Sequence, residues 1–399
     1  MNAIFKNSRL NGRIYAPPSK SMAHRFLICA ALSRKKCIVS NIAFSEDITA
    51  TLNCLESLGV CCERTADKVI VDADALFSKN DVLNCKESGS TLRFLIPLCL
   101  LADKEITLVG KERLFSRSLA VYKSLCEEKG FTFKQDCDSV LVKGNLKSGY
   151  FSVRGDISSQ FISGLLFVLP TLEGDSIIEI EKPIESLPYI DMTVYVQSLF
   201  GVIVERNDNI IKIKGNQQYI PTDAVVEGDC SNAAFFEALS VLGHNVEVYG
   251  INKDTFQGDF VFYEYFDKLR KGFCELDISN CPDLAPVLSV VAAANYGAKL
   301  IGTRRLKIKE SDRAKAIFDE LNKFSVKVSI SENEMVIDSG IKVPILDIES
   351  HNDHRIVMAF ACLLTLTGGR IVNCEAVNKS FPDFFEKLMI LGADITYET

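Results

Sequence analysis

Lys20, His24 and Arg25 stand among small hydroxyl residues in PPSKSMAHR, residues 17–25, directly ahead of an apolar run. A helix starting here presents unpaired N–H groups and about half a positive charge at its first turn. Serine and lysine beside such a start make a local anion site. The arrangement recurs: polar residues open apolar helices at Ser88-Gly89-Ser90, Ser158-Ser159-Gln160, Ser231-Asn232, Pro282-Asp283 and Asp353-His354-Arg355. Ser, Asp and Asn are also ordinary helix caps, and for Ser231-Asn232 that reading suffices. The first starts carry more than a cap. Arg25 follows Ser21, and Arg93 follows Gly89, by one helical turn, which returns each base to the same face. An arginine inside STLRFLIPL needs a partner, and an anionic ligand is the economical one. Loops add further charge: Arg113 and Arg117 in GKERLFSRS, Lys309, Glu310, Asp312 and Arg313 in KIKESDR, and Lys379 in NKSFPDFF. Lys111, Glu112 and Lys307 read as solvated surface, and Ser311 or Asp312 as the cap of the helix AKAIFDELNKF.

The elements that must position these residues are repeated. LESLGVCCERTADKVIVD, LCEEKGFTFKQDCDSVLVKG and VQSLFGVIVERNDNIIKIKG each read as a helix end, a glycine stop, a strand, a polar turn and a second strand. Gly59, Gly130, Gly201 and Gly272 are equally spaced, and weaker copies follow at LNKFSVKVSISENEMVID and LMILGADITYE. The polar-start helices, each with a following strand, alternate with these hairpins. The pattern predicts an α/β protein of six βαβαββ-type units, the fourth with a short, irregular hairpin around CELDISNCPD. The last unit lacks its second hairpin strand, and AIFKNSRLNGRIYAPPSKS at the start matches VLVKGNLKSGYFSVRGDISS within the third copy. The N-terminal strand is therefore expected to complete the sixth unit beside the C-terminus. Three units per domain gives one domain at residues 19–226 and another from residues 1–18 plus 227–399.

Composition bounds the chemistry. With 45 basic and 52 acidic side chains the net charge is −7, which argues against a general nucleic-acid or membrane binder, so any anion site is local. No run approaches a membrane span, and no secretory leader is evident; a cytoplasmic protein is expected. The 14 cysteines are scattered in apolar contexts with no C-x-x-C pair, and read as reduced buried thiols. His351 and His354 in HNDH lack further ligands at metal spacing. Catalysis without metal or cofactor is expected. A monomer is the simplest oligomeric state.

Taken in order, GRIYAPPSKSMAHR, SGSTLRFL, GKERLFSRS, SSQF, SLPYIDMT, CPDLAP, KIKESDR, NDHR and KSFPDFF resemble the 5-enolpyruvylshikimate-3-phosphate synthase family across almost the whole chain. The resemblance implies a two-domain inside-out α/β barrel, with helix starts pointing into a cleft between the domains. It implies transfer of the enolpyruvyl group of phosphoenolpyruvate to the 5-hydroxyl of shikimate-3-phosphate, releasing phosphate, and so small anionic substrates as partners. By resemblance Lys20 lies between both substrates. Ser21, Arg25, Ser158, Ser159, Gln160, Ser186, Tyr189 and Arg305 serve shikimate-3-phosphate. Gly89, Arg93, Arg113, Gln160, Arg313, Arg355 and Lys379 serve phosphoenolpyruvate. Asp283 is assigned to the substrate hydroxyl, Glu310 to the methylene carbon, with Lys309 close to both and His354 giving a hydrogen bond.

Four positions depart from the family's usual pattern: Pro18, Glu87, Leu187 and Arg305. Two rivals follow from the same residues. A UDP-N-acetylglucosamine enolpyruvyl transferase would carry a cysteine in the loop GKERLFSRS, which has none; the nearest is Cys126. A non-catalytic phosphate-binding module would have no reason to keep Asp283 and Glu310 beside its bases.

Overall fold

The computed structural model describes residues 1–398 and divides into two compact units, Pro18–Glu227 and Met1–Pro17 with Gly228–Thr399. Each is built around three buried helices. In the first these are Lys20–Leu32, Gly89–Cys99 and Ser159–Val168; in the second, Cys230–Val241, Ala285–Ala294 and His354–Thr367. Such helices are apolar all round because every face meets protein. Sequences such as APVLSVVAAA have no polar face to offer water. Sheets with alternating buried and exposed residues lie outside them, so each unit is inside out, and no sheet among the described residues closes on itself.

The third repeat shows the full pattern. Tyr150–Arg154 pairs in parallel with Ser176–Glu181 around the helix Ser159–Val168. A second helix, Leu187–Leu199, leads to the hairpin Val204–Asn207 and Ile210–Ile213, whose second strand joins Ser176–Glu181 antiparallel. Five four-stranded sheets share this order. The last is completed by the chain's own start: Asn2–Phe5 lies antiparallel between Gly369–Val372 and Ile395–Glu398. The expected strand donation is observed.

The sixth sheet corrects the expectation of six hairpins. It has only two strands, Asn11–Tyr15 and Asn245–Tyr249, in parallel. The helix Phe262–Lys271 runs through Gly272 straight into Cys274–Asp277, which is the first strand of the fifth repeat rather than half of a hairpin. Backbone geometry explains the difference. Gly59, Gly130, Gly201 and Gly392 have φ of 109°, 70°, 76° and 104°, and Ser325 takes 63° at the same place in the fifth repeat. That left-handed residue turns the chain from helix to hairpin. Gly272, with φ 160°, is extended and makes no such turn.

Candidate functional site

Charged side chains gather at the starts of the buried helices within each unit. In Pro18–Glu227 the helix Lys20–Leu32 is capped by Ser19, and Lys20 Nζ reaches Asp47 at 2.9 Å. Arg25 is buried; its Nε donates to Thr193 Oγ1 at 2.9 Å, Nη1 to the Ser21 carbonyl at 2.7 Å and Nη2 to the Tyr189 carbonyl at 2.8 Å. The arginine therefore has protein partners, and every one is neutral. Burial brings its pKa down to about 10, and among the described residues no carboxylate lies in hydrogen-bond contact with it. His24 donates or accepts at Nδ1 with Thr51 Oγ1 at 2.8 Å, and the hydroxyl chain continues through Thr91 to Ser88, the cap of the next helix. Burial, then Lys20 and Arg25, hold its pKa well below the usual imidazole range, so His24 is a neutral strut between helices.

Arg93 lies across the face of Phe161, 5.2 Å from the ring centre, and its Nη1 donates to Gln160 Oε1 at 2.8 Å. Gln160 Nε2 in turn donates to Ser90 Oγ at 3.0 Å. A Cβ on Gly89 would come within 2.8 Å of Nη1 of both Arg93 and Arg117. Arg117 is thus the guanidinium from GKERLFSRS set against Gly89, while Arg113 is exposed on the short helix Glu112–Ser116. Glu87, the unusual acid before this turn, meets Lys111 Nζ at 2.7 Å, so a base read as plain surface offsets it. Ser158 caps Ser159–Val168 with its side chain on Gln160 N; Ser159 is buried. Ser186, at φ 58°, starts the helix bearing Tyr189, and Leu187 packs against the core.

In the other unit Asp283 lies on a short turn before Ala285–Ala294. Its Oδ1 accepts from Arg313 Nη1 at 2.7 Å and Lys309 Nζ at 3.3 Å, and its Oδ2 from Arg355 Nη2 at 3.0 Å. Arg313 is fully buried and also donates from Nη2 to Glu310 at 2.6 Å and from Nε to Asp353 at 2.8 Å. Asp353 caps His354–Thr367, and Asp312 rather than Ser311 caps Arg313–Lys323. Ser311 donates instead to Asp353 at 3.0 Å. His354 is buried in the first turn, and Lys379 Nζ donates to the Asn352 carbonyl at 2.7 Å. Arg305 is buried nearby. The cap of Cys230–Val241 is Asp229, not Ser231-Asn232, and Ser231 donates to the buried Asp259.

The electrostatics separate these groups. Burial pushes the Asp283 carboxyl up, but Arg355, Lys309 and Arg313 outweigh it and hold the group well below its ordinary range. Burial lowers Lys309 to about 8, assisted by Arg305 and Arg313 against the pull of Asp283 and Glu310. The site thus holds a permanent carboxylate beside an amine that gives up its proton near pH 8. Such a pair suits acid–base chemistry on a bound anion.

Sequence reasoning passed over three partners. Asp353 appeared only as a helix start, although its place before His354-Arg355 was visible. Asp47 reads as an ordinary acidic first turn, and Thr193 as an interior helix residue; neither carries a signal of its contact.

Comparison with known proteins follows the same lines. The family described as EPSP synthase (3-phosphoshikimate 1-carboxyvinyltransferase) matches residues 4–388. The 3-phosphoshikimate 1-carboxyvinyltransferase of Clostridium novyi is 39% identical over 420 residues, covering 97% of each chain. An EPSP synthase from Acinetobacter baumannii aligns with a TM-score of 0.81 at 22% identity over 100% of both chains. The enolpyruvyl transferase NikO from Streptomyces tendae aligns at 0.75 and 15% identity, over 99% of this chain and 98% of its own. The two solved structures bear on the fold.

Proposed function

The chain belongs to the EPSP synthase (3-phosphoshikimate 1-carboxyvinyltransferase) family, and we propose that its charged helix starts serve that family's reaction. The reaction transfers the enolpyruvyl group of phosphoenolpyruvate to the 5-hydroxyl of shikimate-3-phosphate and releases phosphate, a step toward aromatic compounds. Both substrates are polyanions, and fixed cations and helix starts offset the cost of assembling them. In our reading Ser158, Ser159 and Gln160 take the shikimate-3-phosphate phosphate, with Ser186 and Tyr189. Arg25, whose protein partners are all neutral, takes the carboxylate beside Ser21. For phosphoenolpyruvate we assign Gly89, Arg93 and Arg117, and likewise Arg313, Arg355 and Lys379, with Lys20 serving both substrates. Arg113 takes a lesser place.

The observation that carries the reading is the pairing of Asp283 with Lys309. Asp283 is held too acidic to keep a proton, so it accepts a hydrogen bond from the 5-hydroxyl and aims it. Lys309, neutral above about pH 8, takes that proton as the oxygen adds to C2 of the enol. Glu310 gives a proton to the methylene carbon and regains one when phosphate leaves and the double bond re-forms. A binding module needs neither group. Cys126, the nearest thiol to the loop GKERLFSRS, is buried with its pKa pushed up to about 12, which suits packing rather than chemistry.

Mixing the protein with phosphoenolpyruvate and shikimate-3-phosphate is expected to release phosphate. Release only when UDP-N-acetylglucosamine replaces the shikimate ester, or no release with either acceptor, contradicts the reading. A second expectation tests the Gly89 turn. In Gly89→Ala the obstructing atoms are ends of flexible side chains, so the fold adapts, but Arg93 and Arg117 must move. Losing one charge-assisted bond at ~1.5 kcal/mol corresponds to roughly tenfold in the KM for phosphoenolpyruvate. An unchanged KM would separate Gly89 from that substrate.

A further inference from the structure

Glu320 is a buried carboxylate that the reaction does not use. It lies on Arg313–Lys323, two turns beyond Arg313, with its side chain 1% exposed. Its Oε2 accepts from the Glu349 backbone N–H at 3.0 Å and from Lys323 Nζ at 2.7 Å, and its Oε1 meets His351 Nε2 at 2.8 Å. The segment it grips is unusual. His351 and Asn352 are consecutive left-handed residues, φ 51° and 53°, and neither is glycine. Such a backbone persists only where surrounding contacts over-determine it. Immediately beyond, the Asn352 carbonyl seats Lys379, and Asp353 caps His354–Thr367 while binding Arg313.

We infer that Glu320 is a positioning residue: through His351 and the Glu349 amide it holds the left-handed turn 351–352 that sets Lys379, Asp353 and Arg355. One helix then governs the cluster from both ends. Arg313 at its start binds the carboxylates directly, and Glu320 near its finish fixes the loop that brings Asp353 to Arg313. A general packing role would need only an apolar side chain here, whereas this carboxylate spends both oxygens on one turn. The inference rests on the reading of Lys379 and Arg355 as phosphoenolpyruvate ligands for its effect on activity, but not for the clamp itself.

The test uses the intact chain, with His351→Leu removing the ring nitrogen, His351→Gln keeping an N–H donor, Glu320→Met removing the carboxylate, and exposed Lys307→Ala as control. Amide hydrogen exchange across residues 348–353 and steady-state constants are measured on each. Glu320→Met and His351→Leu are expected to speed exchange in that segment about tenfold and raise the KM for phosphoenolpyruvate about tenfold. The KM for shikimate-3-phosphate stays within about twofold, and His351→Gln restores both readings. Exchange unchanged in 348–353 overturns the clamp. Faster exchange with an unmoved phosphoenolpyruvate KM overturns the positioning role, as does a rise in both KM values with faster exchange throughout the unit. Should the natural chain form no product, the proposed reaction fails separately, and exchange alone decides the clamp: lost protection in His351→Leu supports it, retained protection overturns it.

Discussion

Arg313→Met is expected to lower the thermal midpoint sharply and to bring turnover below detection. The guanidinium is fully buried and binds Asp283, Glu310 and Asp353 together. Removing it leaves like charges facing one another with their main cation gone. Breaking a buried pair from one side costs about 3–5 kcal/mol, or roughly 10 °C in midpoint for a domain of this size. Arg313→Lys keeps the charge but not the fork, since one ammonium cannot reach all three carboxylates with that geometry. It should recover part of the stability and little of the activity. The acid limb of stability is a second readout. Asp283 and Asp353 are both held below the ordinary carboxyl range. Their contribution is therefore complete above about pH 4 and is lost as acid protonates them. Without Arg313 that loss moves to higher pH. A variant that melts with the natural chain, measured by calorimetry, would mean that other cations already balance the cluster.

Lys309→Met is expected to cut kcat by about 10²–10⁴-fold with the fold intact. The sign of its pH dependence follows from the shift. An amine lowered to about 8 is mostly protonated at pH 7 and mostly neutral at pH 9. If it accepts the hydroxyl proton, kcat/KM climbs through pH 8 and then levels. The methionine variant should lose that climb along with its turnover. Lys309→Arg separates charge from proton transfer, because it stays cationic throughout this range. Its activity should fall as far as that of the methionine variant. A pH profile that keeps its rise near 8 in either variant would assign the proton to another group.

Much of this architecture was legible because repetition reports packing. A polar start followed by an apolar run with no hydrophilic face, seen again and again, can only be a helix surrounded by protein. The match between the chain's opening residues and an interior repeat told where the first strand pairs. The missing fourth hairpin was harder. Gly272 keeps both the spacing and the residue type of the other helix stops, and only its extended φ shows that the turn is not made. The charged clusters were legible as inventory rather than as wiring. KIKESDR and NDHR announce their charges, but which oxygen meets which nitrogen depends on how helix starts from separate repeats converge. Arg113 and Arg117 share one short loop, and four residues of helix and turn decide which of them lies against Gly89. Asp47, Glu320 and Thr193 went unremarked because acids and threonines on helices are usually solvated or packed, and nothing local distinguishes those that are neither.

The strand Asn2–Phe5 sits in the middle of a sheet whose other members are made last, including Ile395–Glu398. During synthesis the stretch Pro18–Glu227 can leave the ribosome and fold as a complete body, as domains made early tend to do. Asn2–Phe5 must meanwhile wait for its partners until Gly369–Val372 and Ile395–Glu398 have emerged. Deleting Asn2–Phe5 should therefore damage the late-folding body as much as deleting Ile395–Glu398, and leave Pro18–Glu227 standing.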